Sequence, residues 1–300
     1  MKIGYILRDL YKEIDPNPSL LVSYWANPEW FPKKEKEKDG KEEETKIDVW
    51  LKLSSTTKLG NRYLKFLKNL ELLQIPNLSK ISESYITRTR LIIGAGASGW
   101  EVPLVQMLKP FGVPWIPGST LKGVMRQAAS LRLINKNSEL GYLLGFRKES
   151  KLSCRSYEDM SLDQISRCLK EIKLGNQITE EFMKFVKLFG TKYYKGELLV
   201  LGGFPVGPNP EGSIVKVEVI SPHYKEYYEG KEYPSETSSP IPLFFPVVSE
   251  GVVFEFLLFS SKELEGYVKD LLKDTLINYG VGGKQSSGFG LFSEIKDRPR

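Results

Sequence analysis

Two stretches of this chain combine residue types and spacings suited to holding a phosphate. The first is Pro117-Gly118-Ser119-Thr120-Leu121-Lys122-Gly123-Val124-Met125-Arg126. A serine ahead of an apolar-periodic run marks a helix start, and Ser119 is placed to cap it. The free N–H groups of such a start favour an anion. Lys122 and Arg126, four residues apart, share one helix face. The same spacing also describes an ordinary solvated face. The second stretch is the loop from Gly280 to Gly290. Its glycines 282, 283, 288 and 290 let backbone approach a phosphate closely, and Lys284, Ser286 and Ser287 add donors. A long turn between a helix and an edge strand is the plainer alternative.

Other candidate chemistries are weaker. Gly94, Gly96 and Gly99 spell the G-x-G-x-x-G of a dinucleotide site. The prolines at 103, 110 and 114 leave no room for the helix that must follow, and no acid occurs between Glu101 and Glu139 to hold a ribose. A bulged strand end explains these glycines better. Gly283-Lys284 does not complete a P-loop, because position 278 is Asn and position 285 is Gln. His223 is the single histidine. It could act as a general acid in RNA cleavage, but spacing sets no carboxylate beside it. A structural or base-stacking role for His223, with Tyr224, fits better. Cys154 and Cys168 are the only cysteines, so neither a disulfide framework nor a cysteine zinc site is expected. We expect two reduced thiols in a reducing cytoplasm, and no metal or cofactor.

The elements that must position these residues follow from periodicity. Leu59, Tyr63, Phe66, Leu67, Leu70 and Leu73 predict a helix ending before Pro76. Strands are predicted at 87–93, 197–202, 214–220, 241–248, 252–259 and 291–295. Helices are predicted from Ser119, at 180–188, and after a Ser260/Glu263 capping box. Strand, helix, strands, helix and strand in this order predict an α+β fold. It is a split βαβ, ferredoxin-like (RRM-like) βαββαβ arrangement with an antiparallel sheet and helices on one face. The run 33–48 holds six Lys and seven acids and reads as a solvated, mobile charged loop.

Composition narrows the class further. The 300 residues are 41% hydrophobic and 27% charged, with a net charge of +6. No apolar run approaches the ~20 residues a bilayer requires. The start of the chain does not read as a signal peptide, so a cytoplasmic protein with no membrane partner is expected. Residues 119–170 hold ten Lys or Arg against five acids, which is most of the excess. A localised basic stripe is the footprint of phosphate contacts.

The P-G-S-T-L-K-G-V-M-R segment and the later G-G-K-Q-S-S-G-F-G loop (282–290) together resemble the signature of the RAMP superfamily, the RNA-binding proteins of CRISPR effector complexes. The lead-in at 112–117, Phe189-Gly190, Ser221-Pro222-His223-Tyr224 and the segment 239–244 are most similar to the sixth-subunit branch of the type III-B, or Cmr, complexes. This resemblance covers about residues 87–297. It implies one ferredoxin-like domain over 87–300 with insertions near 136–188 and 203–240, preceded by an N-terminal arm and helical extension over 1–86. It also implies a non-catalytic subunit that binds the CRISPR guide RNA near its 3′ end, lies against target RNA, and caps a filament of backbone subunits within a ribonucleoprotein of RAMP backbone and head subunits. The RNA-binding role passes by resemblance to Lys122, Arg126, Lys284 and the loop glycines, and Ser119, Ser286 and Ser287 join them as RNA-binding candidates on their position and donors alone. Arg90, Arg132, His223 and Tyr224 are secondary RNA or stacking candidates. Target-cutting relatives carry an Asp between first strand and first helix, where this chain has only Glu101 between Gly94 and Gly118. The alternative is a guide-processing endoribonuclease acting through His223 or a tyrosine. A third reading, compatible with the first, is an assembly piece docking through Tyr24, Trp25 and Trp30.

Overall fold

The computed structural model describes residues 59–94, 105–146, 156–207, 214–220 and 243–295, with isolated positions at 154, 212, 230 and 233. The aromatic arm, the 33–48 charge run, His223 and Tyr224 lie outside the described residues.

Helix α1 (Asn61–Glu71) precedes strand β1 (Ser79–Thr87). Short strands β2 (Met107–Leu108), β3 (Val113–Pro114) and β4 (Ile116–Pro117) lead into helix α2 (Gly118–Lys136) and the one-turn α3 (Leu140–Leu143). Helices α4 (Leu162–Glu171) and α5 (Asn176–Phe189) follow, then strands β5 (Leu199–Gly207), β6 (Val215–Ile220), β7 (Leu243–Val248) and β8 (Val253–Ser260). Helix α6 (Glu265–Asp274) and strand β9 (Phe292–Glu294) complete the order.

Five strands form one antiparallel sheet in the order β4-β5-β8-β1-β9. This mixed architecture is consistent with an RRM-like fold. Alternation along β1 buries Ile81, Tyr85 and Thr87 on one face. Ile81 and Tyr85 join Phe254, Phe256 and Leu258 of β8 against Leu121, Met125, Ala128 and Leu133 of α2 and Val268, Leu271 and Leu272 of α6. Each buried Val, Leu, Ile, Phe or Met among them contributes about 1.5–3 kcal/mol by leaving water. Phe292 of β9 meets Phe254 and Phe256 edge-to-face, which fastens the short last strand.

The opposite face is also covered, contrary to the expectation of helices on one face. Tyr63 and Leu67 of α1 pack on Phe204 and Leu257, and the β2–β3 hairpin adds Val113. The buried Tyr63 hydroxyl donates to the Pro205 carbonyl at 2.9 Å. The sequence shows α1 as amphipathic but cannot show which sheet face its stripe meets.

Three local expectations need correction. The first strand occupies 79–87 rather than 87–93, and within 88–94 only Leu91 forms a bridge, to Val248. The 88–93 segment instead bonds to the end of β7 on one side and to the glycine loop on the other. Ser260 and Glu263 do not form a capping box: a 3-10 turn at Lys262–Leu264 intervenes, and Ser260 Oγ donates to the Ser261 carbonyl. The box lies at Ser161/Gln164, where side chain and backbone bond reciprocally and start α4. The cysteines are not two free thiols: Cys154 and Cys168 are disulfide-bonded, tying residue 154 to α4 with Cα atoms 6.0 Å apart.

Candidate nucleic-acid interface

Residues 87–92 run between two neighbours that hold them by backbone hydrogen bonds. On one side, Thr87 Oγ1 donates to the Ser249 carbonyl at 2.8 Å and accepts from Val252 N–H at 2.9 Å. Leu91 and Val248 exchange both backbone bonds. On the other side lies the glycine loop. Arg88 N–H donates to Leu291 O, Gly290 N–H to Arg90 O, and Gly283 N–H to Ile92 O, each at 2.8 Å. Gly282 is dictated by this seating, and Gly290 by the closing of the loop on its own Val281. At Gly282 (φ +100°) a Cβ would stand 2.2 Å from Ile92 O, and at Gly290 (φ +79°) 2.0 Å from Val281 O. Only glycine tolerates both the dihedral and the approach.

The amides of Gly283 and Gly290 are therefore spent on the chain itself. Val281 is buried, and only the 284–288 stretch of the loop is presented outward. Lys284, Gln285, Ser286, Ser287 and Gly288 are all exposed, and nothing lies within 4 Å of a Cβ built on Gly288.

Between the loop and this segment is an open concavity of about 320 Å³, lined by Arg88, Thr89, Arg90, Glu218, Glu250, Ser287, Gly288 and Phe289. Arg90 is engaged there. It pairs with Glu218 and, at 3.4 Å, with Glu250, which in turn holds Lys216 at 3.0 Å. The hydrogen bond to Glu218 raises the Arg90 pKa, and the Glu250 carboxyl is lowered, first by a bond from its own backbone N–H and then by Lys216 and Arg90. Arg88 differs. It is exposed and makes no ion pair among the described residues. Sequence reading passed over Arg88. The T-R-T-R spacing at 87–90 was its only signal, since alternate strand positions share a face.

The basic helix is placed otherwise than its spacing implied. Helix α2 begins at Gly118, with Pro117 at the capping position and no side-chain cap, so Ser119 lies inside the first turn. A Cβ on Gly118 would stand 2.0 Å from Val200 O, so this glycine serves the close approach of α2 to β5. Lys122 Nζ donates to the Leu198 carbonyl at 2.7 Å, and partial burial lowers its pKa. Arg126 pairs with Glu158, Arg132 with Asp274 at 2.5 Å, and Lys136 with Glu181. The basic excess of this helix is largely answered by acids that the fold brings to it. No α2 residue lines the concavity beside the glycine loop.

The sheet face that stacks bases in RRM-type domains is occupied over β5 and β8 by α1. Among the described residues, no group of three His, Cys, Asp or Glu side chains could hold a metal ion. No described helix is long and apolar enough to cross a membrane.

The family model of the RAMP superfamily matches residues 85–293. The CRISPR system Cmr subunit Cmr6 of Pyrococcus furiosus is 28% identical over 239 residues, 73% of this chain and 69% of that protein. A cryo-EM structure of the Type III-B Cmr-beta bound to cognate target RNA contains a chain that aligns over 96% of this one and 94% of its own length, at 21% identity and a TM-score of 0.62. The crystal structure of Cmr6 from Pyrococcus furiosus aligns over 74% of this chain and 100% of its own, at 25% identity and a TM-score of 0.44.

Proposed function

The chain belongs to the RAMP superfamily, and on that premise we propose that it is a non-catalytic RNA-binding subunit of a Cmr-type, type III-B CRISPR effector. The similarity to Cmr6 over most of both chains supports this reading. In it, β1, α2, β5, β8, α6 and β9 form a single ferredoxin-like unit, and the β6–β7 hairpin and the α4–α5 region are insertions. The chain binds the guide RNA near its 3′ end and caps the filament of backbone subunits.

The observation that carries the reading is the pair of unengaged cations at the rim of the glycine loop, beside a concavity whose own Arg90 is already answered by Glu218 and Glu250. Arg88 on one side and Lys284 on the adjoining loop are exposed cations without an ion-pair partner among the described residues. Ser286, Ser287 and Gly288 stand exposed beside them. A polyanion can take these groups without breaking any contact of the fold. Binding of this kind is electrostatic and reads backbone shape rather than sequence.

Arg88→Ala combined with Lys284→Ala tests it. Removing two phosphate contacts should lower the salt dependence of log K by about 1.4 for single-stranded RNA. Wild-type affinity with an unchanged slope rejects the loop as the RNA site.

A further inference from the structure

A turn beside α2 carries the makings of a separate contact. Residues 190–196 leave the end of α5 and return to β5. Their backbone is held at both ends. Gly190 and Gly196 pack so closely that a Cβ on either would stand 2.4–2.5 Å from backbone atoms of the other arm. Thr191 N–H donates to Tyr194 O at 2.8 Å, and Thr191 Oγ1 accepts from the N–H groups of Tyr193 and Tyr194 at 3.1 Å. The Tyr194 hydroxyl donates to Glu197 at 2.6 Å. At the tip of this fixed turn, Tyr193 is 71% exposed.

The surroundings are cationic. Lys195 is exposed and makes no ion pair among the described residues. Lys192 pairs with Asp159 yet keeps a side chain 68% exposed. Lys192 N–H also donates to the Glu158 carbonyl at 2.9 Å, and the Glu158 carboxylate holds Arg126. Lys122 reaches Leu198 at the far end of the same connection. The acids here, Glu158, Asp159 and Glu197, are each already bonded to Arg126, Lys192 or Tyr194.

A rigid, exposed aromatic ring among lysines is the pattern that binds single-stranded nucleic acid. The ring stacks on a base of any identity, the cations take the flanking phosphates, and the fixed backbone loses little entropy on binding. We propose that the turn Thr191–Lys195 is a second single-stranded RNA contact, distinct from the glycine loop, in which Tyr193 stacks on a base and Lys195 holds an adjacent phosphate. This rests on the reading that the chain binds RNA, but it concerns a different surface.

The test uses the full chain and a short single-stranded RNA carrying 2-aminopurine at successive positions. Wild type and Tyr193→Phe should quench the fluorescence at one position and bind alike. Tyr193→Ala should lose the quench and bind roughly tenfold more weakly, as loss of one stacked base predicts. Lys195→Ala should lower the salt slope by about 0.7. Equal affinity and equal quenching for Tyr193→Ala and wild type overturn the proposal. So does an unchanged RNA affinity with weakened association to purified partner subunits, which assigns the turn to a protein contact. The Arg88→Ala, Lys284→Ala variant separates the two surfaces. Loss in that variant alone leaves the loop reading standing and removes the turn. Loss in Tyr193→Ala alone does the reverse.

Discussion

The guanidinium of Arg126 stands over the ring of Tyr157, 5.5 Å from its centroid, while pairing with Glu158 on the next residue. A side chain whose spacing along α2 points to phosphate is thus built into the contact between α2 and the 3-10 turn Tyr157–Asp159. Burial raises the Tyr157 pKa, and the neighbouring Arg126 works against that rise. The half-exposed cation therefore contributes to how the α4 region docks.

Arg126→Ala should accordingly be felt in stability. The lost cation–π contact and a partly screened ion pair predict about 1 kcal/mol. For a chain of this size that is a fall of roughly 2 °C in Tm. Differential scanning calorimetry checks it, and an unchanged Tm removes Arg126 from the docking of the turn.

The Cys154–Cys168 bridge closes a short loop, with a sequence separation of 14. Restricting the unfolded chain this way stabilises the fold by about 3 kcal/mol. Reductant should lower the denaturant midpoint of the wild type. A Cys154→Ala, Cys168→Ala variant should start lower and not respond. Equal midpoints for wild type with and without reductant contradict the bridge.

Two glycines of one loop should behave differently. Gly290→Ala forces a Cβ to within 2.0 Å of Val281 O at φ +79°, so the Val281–Gly290 closure of the loop must open. Gly288→Ala at φ +85° meets open space and carries only the left-handed backbone cost, about 1 kcal/mol. Proteolysis within 283–289 should therefore speed up markedly in Gly290→Ala and little in Gly288→Ala.

Acid should weaken the Lys216–Glu250–Arg90–Glu218 network. The Glu250 pKa is lower in the folded chain than in the unfolded one, so the unfolded chain binds the proton more readily. Its contribution is fully present above the ordinary carboxylate range and is lost as pH falls through the folded-state pKa. Glu250→Gln should flatten the acid limb of a stability-against-pH curve, with little change near neutrality in the shape of that curve. A limb of unchanged steepness shows that the network adds nothing.

Much of the element order was legible in the chain. Period-2 and period-3.6 patterning placed α1, β6, β7 and β8 close to where they lie, because local burial patterns depend on near neighbours alone. The capping signals were less reliable. Ser260/Glu263 and Ser161/Gln164 both match the box pattern at the level of residue types. Only the second starts its helix at the serine, because a 3-10 turn takes the residues after Ser261.

Residue types and their spacing along the chain set what this protein has to offer an anion. The glycine loop, the α2 motif and the concentration of charge in 119–170 are all properties of residues near one another in the chain. The tertiary structure alone decided which of these groups are at liberty. Glu218 of β6 and Glu250 of the turn after β7 reach Arg90 from over a hundred residues away, and Asp274 reaches Arg132 from α6. Coulomb attraction depends on distance in space, so a basic stripe read along the chain can be neutralised by acids that only folding brings to it. Arg88, unremarked in the sequence, remains exposed where its neighbour Arg90 is bound.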